Sequence, residues 1–408
     1  MRRAGSLAAV SLRVAIVGAG LGGLAAALFM RRAGLDVTVY EQALELREVG
    51  AGIVVSPNMV RVLEQLQLAQ RLSEFAVRLE AAWEFRRWQN GEVLFVQPMG
   101  EHCRRLYGTD CFVAHRADLL ALLRGAWPAD RLQLDRRCTA LRPHADAVEL
   151  TLQSRDGTIE TPSADVVIGA DGIHSTVQQA VVPPLEARFS GLCAFRCLVS
   201  AEHAPAMALR PVQTLWLGPG RHFVHYPISA GRLVNVVAIV PAGAWRVESW
   251  NADGELADLR GEFSGWDERV QQLIVSASST KRWALYDRNP LGRWVEGRIA
   301  LLGDAAHAML PFFAQGAAQA LEDAYVLAGC LQGADRATAP QALQRYETIR
   351  QPRADRVLQM SRGREVRNHL PDGPEQQQRD AELAHGDPLR QSAWLYAHDL
   401  DADLGRAV

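Results

Sequence analysis

Three sets of residues in this 408-residue chain have types and spacings suited to chemistry. The first is Gly18-x-Gly20-x-x-Gly23, where glycines permit a tight turn and let backbone amides approach a phosphate. The second is a pair of carboxylates, Asp171 and Asp304, which follow the apolar runs Asp165–Ile168 and Ile299–Leu302. A buried strand ending in a carboxylate delivers it to the edge where a parallel sheet binds its ligands. The third is Arg221-His222-Phe223-Val224-His225-Tyr226-Pro227. Alternation with period two puts His222, Val224 and Tyr226 on one face and His225 on the other. An imidazole titrates near neutral pH and can act as a base toward a phenol, with Tyr226 bonded to the same oxygen or to a carboxylate. The other reading is a half-exposed strand with an ordinary histidine. His307, in Gly303-Asp304-Ala305-Ala306-His307, is read as structural rather than catalytic.

The elements that must position these residues are legible around them. Leu12–Val17 is a short β-branched run, Leu24–Ala33 an Ala- and Leu-rich helix, and Val37–Tyr40 a second strand. Glu41 follows that strand, eighteen residues past Gly23, where an acid accepts hydrogen bonds from a ribose diol. Strand, turn, helix, strand and acid together predict a dinucleotide. The Gly-rich segment from Arg47 to Ile53 can approach a flavin ring or form an ordinary turn. His115–Leu120 opens another helix, with Arg116 serving a phosphate or flavin, or with Asp118 simply capping the helix. A helix over 316–329 offers its first amides, at Gly316, Ala317 and Ala318, to negative charge. With Asp304 just before it, this region resembles the second half of an FAD site.

The formal net charge is −2, from 44 basic and 46 acidic residues, so no nucleic-acid partner is expected. Six cysteines form no CxxC pair and no zinc-like cluster, which predicts buried reduced thiols and no metal. No apolar run is long enough to span a membrane, residues 1–11 read as a frayed tail, and a cytoplasmic location is expected. Runs with strand character between 186 and 286, joined by Trp83–Val96, predict an antiparallel sheet. The expected organisation is α/β. A discontinuous FAD-binding domain occupies 12–75, 105–185 and 287–352, and an interleaved substrate domain occupies 76–104 and 186–286. The helical segment 353–408 is broken near Pro371, Gly373 and Pro374.

On Gly18-x-Gly20-x-x-Gly23, Asp171-Gly172 and Gly303-Asp304, the chain resembles the single-component FAD-dependent aromatic hydroxylases. This group includes salicylate, 3-hydroxybenzoate and 6-hydroxynicotinate monooxygenases. The resemblance runs from about residue 12 to the tail and implies a Rossmann-like FAD domain of the glutathione-reductase type. It places Asp304 on the ribityl chain, Glu41 on the adenosine ribose, and Gly316 and Ala317 on the pyrimidine side of the flavin. Leu21, Gln42, Arg47, Val54, Arg116, Asp171 and Ala318 are the further cofactor contacts. The substrate pocket it implies is His222, Val224, Tyr226, Pro311 and Phe312, with His222 and Tyr226 catalytic. NADH or NADPH would be the transient reductant, O2 a substrate, a C4a-hydroperoxyflavin the oxidant and a homodimer the assembly. The expected substrate is a small phenolic or hydroxy-N-heteroaromatic acid. Phe312 and Val54 stand where some relatives carry histidine, which weakens the case for hydroxynicotinate. A larger polycyclic substrate, an epoxidation, or a non-catalytic flavin sensor are the alternatives.

Overall fold

The computed structural model describes residues 11–46, 52–247 and 252–406. Arg47 and all but the last residue of the expected tail lie outside them. The apolar strands assemble into a six-stranded sheet in the order Val295–Glu296, Ile299–Leu301, Val166–Gly169, Arg13–Val17, Asp36–Tyr40, Leu132–Gln133. Its pairings are parallel except at the first edge, where Val295 faces Ala300 antiparallel. Val166, Val167 and Ile168 are fully buried, as a parallel strand covered on both faces requires. Gly169 lies opposite Leu301, so the two strands that lead to Asp171 and Asp304 end side by side.

The first helix spans Leu21–Arg32 and so begins three residues earlier than the sequence pattern suggests. Gly22 and Gly23 lie in its first turn because nothing larger fits. A Cβ on Gly23 would sit 2.0 Å from the Gly18 carbonyl oxygen, and one on Gly22 would sit 2.6 Å from Leu302 Cδ2. This closeness lets the helix pack on Gly316–Leu331, the helix that follows the Gly-Asp segment.

A second sheet has eight strands. Its centre is Arg188–Ser200, Leu233–Pro241, Arg221–Ile228 and Val212–Gly218, joined antiparallel in that order. Ala81–Arg87 and Val93–Pro98 extend it, as expected of the stretch Trp83–Val96. One joint differs from the all-antiparallel expectation: Val212–Gly218 pairs parallel with Ala81–Arg87, with Thr214 opposite Glu84. A strand reached by so long a crossover is free to arrive in either direction.

The helix Ala339–Asn368 runs straight across residues 352 and 353, where a boundary is expected from the sequence. Pro352 inside it removes a backbone donor. Buried ion pairs made by Arg350 and Arg353, on either side of Pro352, hold the helix through that gap. Beyond it, Pro374–Ala384 and three short helices complete the helical C-terminal region.

Gly18 has φ +104°, and a Cβ there would lie 2.3 Å from the Ala170 carbonyl oxygen. Gly18→Ala should therefore cost the apo-protein about 3 kcal/mol or prevent folding. Gly34→Ala, at φ +86° with open space around it, should cost only about 1–2 kcal/mol. Thermal unfolding of the two variants checks the difference; equal losses would remove the steric argument.

Candidate active site

The ends of both sheets open onto one cavity of about 580 Å³. At one end lies the glycine turn. Gly18 N–H donates to the Tyr40 carbonyl at 2.8 Å, and Ala19 N–H donates to Glu41 Oε2 at 2.8 Å. Glu41 Oε1 accepts from Ala43 N–H at 2.9 Å. The acid thus braces the turn with one lone pair per oxygen and keeps the others for a diol at the cavity wall. A Cβ on Gly20 would meet nothing within 4 Å, so the space beside this helix N-terminus is open. No acidic residue lies in the helix's first turn, so its amides face that space uncompensated. This cradle fits a pyrophosphate.

Asp171 and Asp304 both reach the cavity, as do Leu21, Gln42, Val54 and Arg116. Asp171 also accepts from Ser175 Oγ at 2.5 Å and Thr176 N–H at 2.7 Å, and burial pushes its pKa up. Asp304 begins a short helix after Gly303, whose φ is +61°, and its side chain is exposed to the cavity. Across from it, a Cβ on Gly316 would lie 4.0 Å from Asp304 Oδ1 and 3.9 Å from Met309 Cγ. A carboxylate acceptor and a helix N-terminus with free amides therefore stand side by side on the cavity wall, the two kinds of group that a hydroxylated chain along that wall would bond. Gly316 and Ala317 line that wall, and the Ala318 side chain packs into the core while its amide stays in the first turn of the helix. Asp118 makes no cap; it accepts from Ser229 Oγ at 3.0 Å.

Under this wall lies a buried polar network. Arg350 donates to Asp323 Oδ1 and Glu322 Oε2, both at 2.8 Å, and Arg353 Nε donates to Glu322 Oε2 at 2.7 Å. Asp323 Oδ2 accepts from Gly303 N–H at 3.1 Å and meets His307 Nε2 at 2.6 Å. Asn58 joins Glu322 Oε1 at 2.7 Å to Gln315 Oε1 at 3.0 Å. His307 is therefore a structural member of this network, and Asp323 raises its pKa against the effect of burial. Burial raises the Glu322 pKa, but the arginines outweigh it and hold the group down to about 2.

The far end is formed by the eight-stranded sheet. His222, Val224 and Tyr226 line the cavity with Pro311 and Phe312, while His225 lies behind them. His222 Nδ1 is 2.7 Å from His369 Nε2, and the Phe312 ring stands edge-on to both imidazoles, 5.7 Å between centroids. Burial, then His369, pulls the His222 pKa well below 6.5. Burial pushes the Tyr226 phenol up to about 12. A Cβ on Gly52 would lie 2.6 Å from Tyr226 Cε2, so that glycine makes room for the ring. Sequence reasoning missed Arg364, Asn368 and His369 at the end of the long helix. The only local signal was the four-residue spacing of Arg364 and Asn368, which puts them on one helix face.

A dinucleotide turn and a distant Gly-Asp segment meeting in one cavity, beneath a second sheet, define a flavin-binding oxidoreductase. A family model described as "FAD binding domain" matches residues 11–361, and the chain belongs to that family. It is 43% identical over 386 residues to 3-amino-4-hydroxybenzoate 2-monooxygenase of Streptomyces cremeus, covering 94% of this chain and 95% of that protein. It is 35% identical to 6-hydroxynicotinate 3-monooxygenase of Pseudomonas fluorescens, covering 86% and 90%. The crystal structure of Klebsiella pneumoniae HpxO complexed with FAD and uric acid superposes with a TM-score of 0.83 at 29% identity, covering 97% of each chain. The chain is an FAD-dependent aromatic monooxygenase.

Two predictions follow from this geometry. Gly20→Ala should leave the melting temperature of the apo-protein nearly unchanged and weaken FAD roughly tenfold or more, because its methyl enters the phosphate space. Asp304→Ala should weaken FAD by about ten- to a hundredfold. Titration of apo-protein with FAD reads both, and unchanged affinity in Asp304→Ala removes the ribityl assignment.

Acid stability gives a separate test. Burial lowers the His225 pKa to about 3, and among the described residues neither ring nitrogen has a hydrogen-bond partner. The unfolded chain then takes up this proton first, so stability is lost as pH falls below about 6.5, by up to roughly 1.4 kcal/mol per pH unit. His225→Phe should flatten the fall in melting temperature between pH 6.5 and 4. An unchanged slope would mean that His225 is charged in the fold.

Proposed function

We propose that the chain hydroxylates a small aromatic acid that carries a ring hydroxyl, with 3-amino-4-hydroxybenzoate as the first compound to test. The observation that carries this reading is the His222–Tyr226 face, set in the same cavity as Glu41, Asp304 and the glycine cradle. The Streptomyces relatives, at 41–43% identity over nearly the whole chain, support that choice of compound.

In this reading Gly18, Gly20, Leu21, Gly23, Glu41 and Gln42 hold the ADP half of FAD. Asp304, Gly316 and Ala317 hold its ribityl and ring half, with Arg116, Asp171 and Val54 beside them. FAD held by these residues, once reduced by NADH or NADPH, would supply the chemistry that places one atom of O2 on the ring. The protein positions the ring, keeps the site dry and manages the substrate proton. With Nδ1 engaged by His369, His222 has Nε2 left for the ring hydroxyl. A base held well below 6.5 stays neutral across the working pH range. It shares the hydroxyl proton rather than removing it outright, and so drives electron density into the ring as the new C–O bond forms. His369 shares the developing charge. Tyr226, held protonated, donates to the same oxygen.

The proposed division places FAD on 12–75, 105–185 and 287–352 and the substrate on the sheet of 76–104 and 186–286. The six buried free cysteines fit a reducing, cytoplasmic setting.

His222→Ala should keep its FAD and lose hydroxylation by roughly 10²–10⁴. NAD(P)H oxidation should continue, with its electrons appearing as hydrogen peroxide. His369→Ala should show a smaller loss. The measurement is the ratio of hydroxylated product to NAD(P)H consumed, across pH. Full coupling and an unchanged pH profile in His222→Ala would place the base elsewhere.

A further inference from the structure

The end of the helix Ala339–Asn368 forms part of the cavity wall through Arg364 and Asn368. Arg364 is half-buried and stacks over Phe313, with its guanidinium carbon 5.8 Å from the ring centroid. Among the described residues it makes no ion pair and no hydrogen bond, unlike Arg350, Arg353, Arg362, Arg367 and Arg379 around it. Asn368, only 3% exposed, presents an amide that likewise makes no side-chain hydrogen bond among the described residues. Among the described residues the acids that line the cavity are Glu41, Asp171 and Asp304, all in the dinucleotide fold. The phenylalanine beside Arg364 belongs to the apolar cluster of the eight-stranded sheet, with Trp83, Phe85 and Val224. A guanidinium taken out of water with no counter-charge is costly, and burial, together with Arg367, lowers its pKa. The neutral His222–His369 pair adds no positive charge there.

We propose that Arg364, with Asn368 one turn later, binds the carboxylate of the substrate, so that the site selects anionic aromatic acids. This rests on the hydroxylase reading above and names the group that reading leaves without a partner. Consecutive residues mark the two ends of the bound ring. Phe312 lies against His222 and His369, and Phe313 lies against Arg364. A ring between them has its hydroxyl at His222 and its carboxylate at Arg364. His369 follows Asn368 directly, so one helix end holds the anion and orients the base.

The test uses holoenzyme and two panels. One contains 3-amino-4-hydroxybenzoate, 3-hydroxybenzoate, salicylate and 6-hydroxynicotinate; the other contains their four carboxamides. Affinities are read from the change in flavin absorbance, and FAD content reports the fold of each variant. At least one acid should bind, and at least tenfold more tightly than its amide. Arg364→Met should weaken that acid by about ten- to a hundredfold, with little effect on the amide. Arg364→Lys should restore part of the difference, because lysine keeps the charge but not the planar fork. If Arg364→Met keeps the acid's advantage, or if acid and amide bind equally while product still forms, the proposal is overturned and the hydroxylase reading stands. If none of the eight compounds binds or is hydroxylated, both are overturned.

Discussion

The architecture depends on two adjacent acids, Glu322 and Asp323, buried on one helix and neutralised by Arg350 and Arg353 from another. Two carboxylates and two guanidiniums cancel in charge, and their remaining hydrogen-bond capacity is spent on the segments that shape the flavin wall. Asp323 fixes the amide of Gly303, which sets the direction of Asp304, and Glu322 reaches Gln315 through Asn58. A buried pair of this kind adds little net stability relative to apolar packing, but losing one partner strands the other charge. It specifies which of several packings is adopted, and the site inherits that geometry.

The nucleotide end was readable in the sequence because its determinants are local. Glycine spacing, two flanking strands and an acid at a fixed distance encode the turn, and the structure shows why: Gly18 and Gly23 touch backbone, while Gly20 faces open space. The Asp171 and Asp304 segments were readable for the same reason, each being a short apolar strand with an acid after it. Period-two alternation correctly put His222 and Tyr226 on the cavity face and His225 behind.

The rest was hidden because it is made by tertiary contact. His369, Arg364 and Asn368 come from a polar stretch without apolar periodicity, more than 140 residues from His222 in sequence. The long helix carries Pro352 inside it and is held by Arg350 and Arg353, whose partners lie about 30 residues earlier. The parallel joint at Val212–Gly218 followed no local rule.

The separation between Gly18 and Arg350 has a consequence for synthesis. The glycine turn leaves the ribosome well before the wall that completes its cavity, which is anchored by Arg350 and Arg353. At about 5–20 residues per second, the turn waits roughly 15–65 s for its counterpart. Strand Ala81–Arg87 waits as well, for a neighbour more than 120 residues later. Flavin capture thus waits for Arg350 and Arg353, and products truncated before them should emerge colourless even with a complete dinucleotide fingerprint.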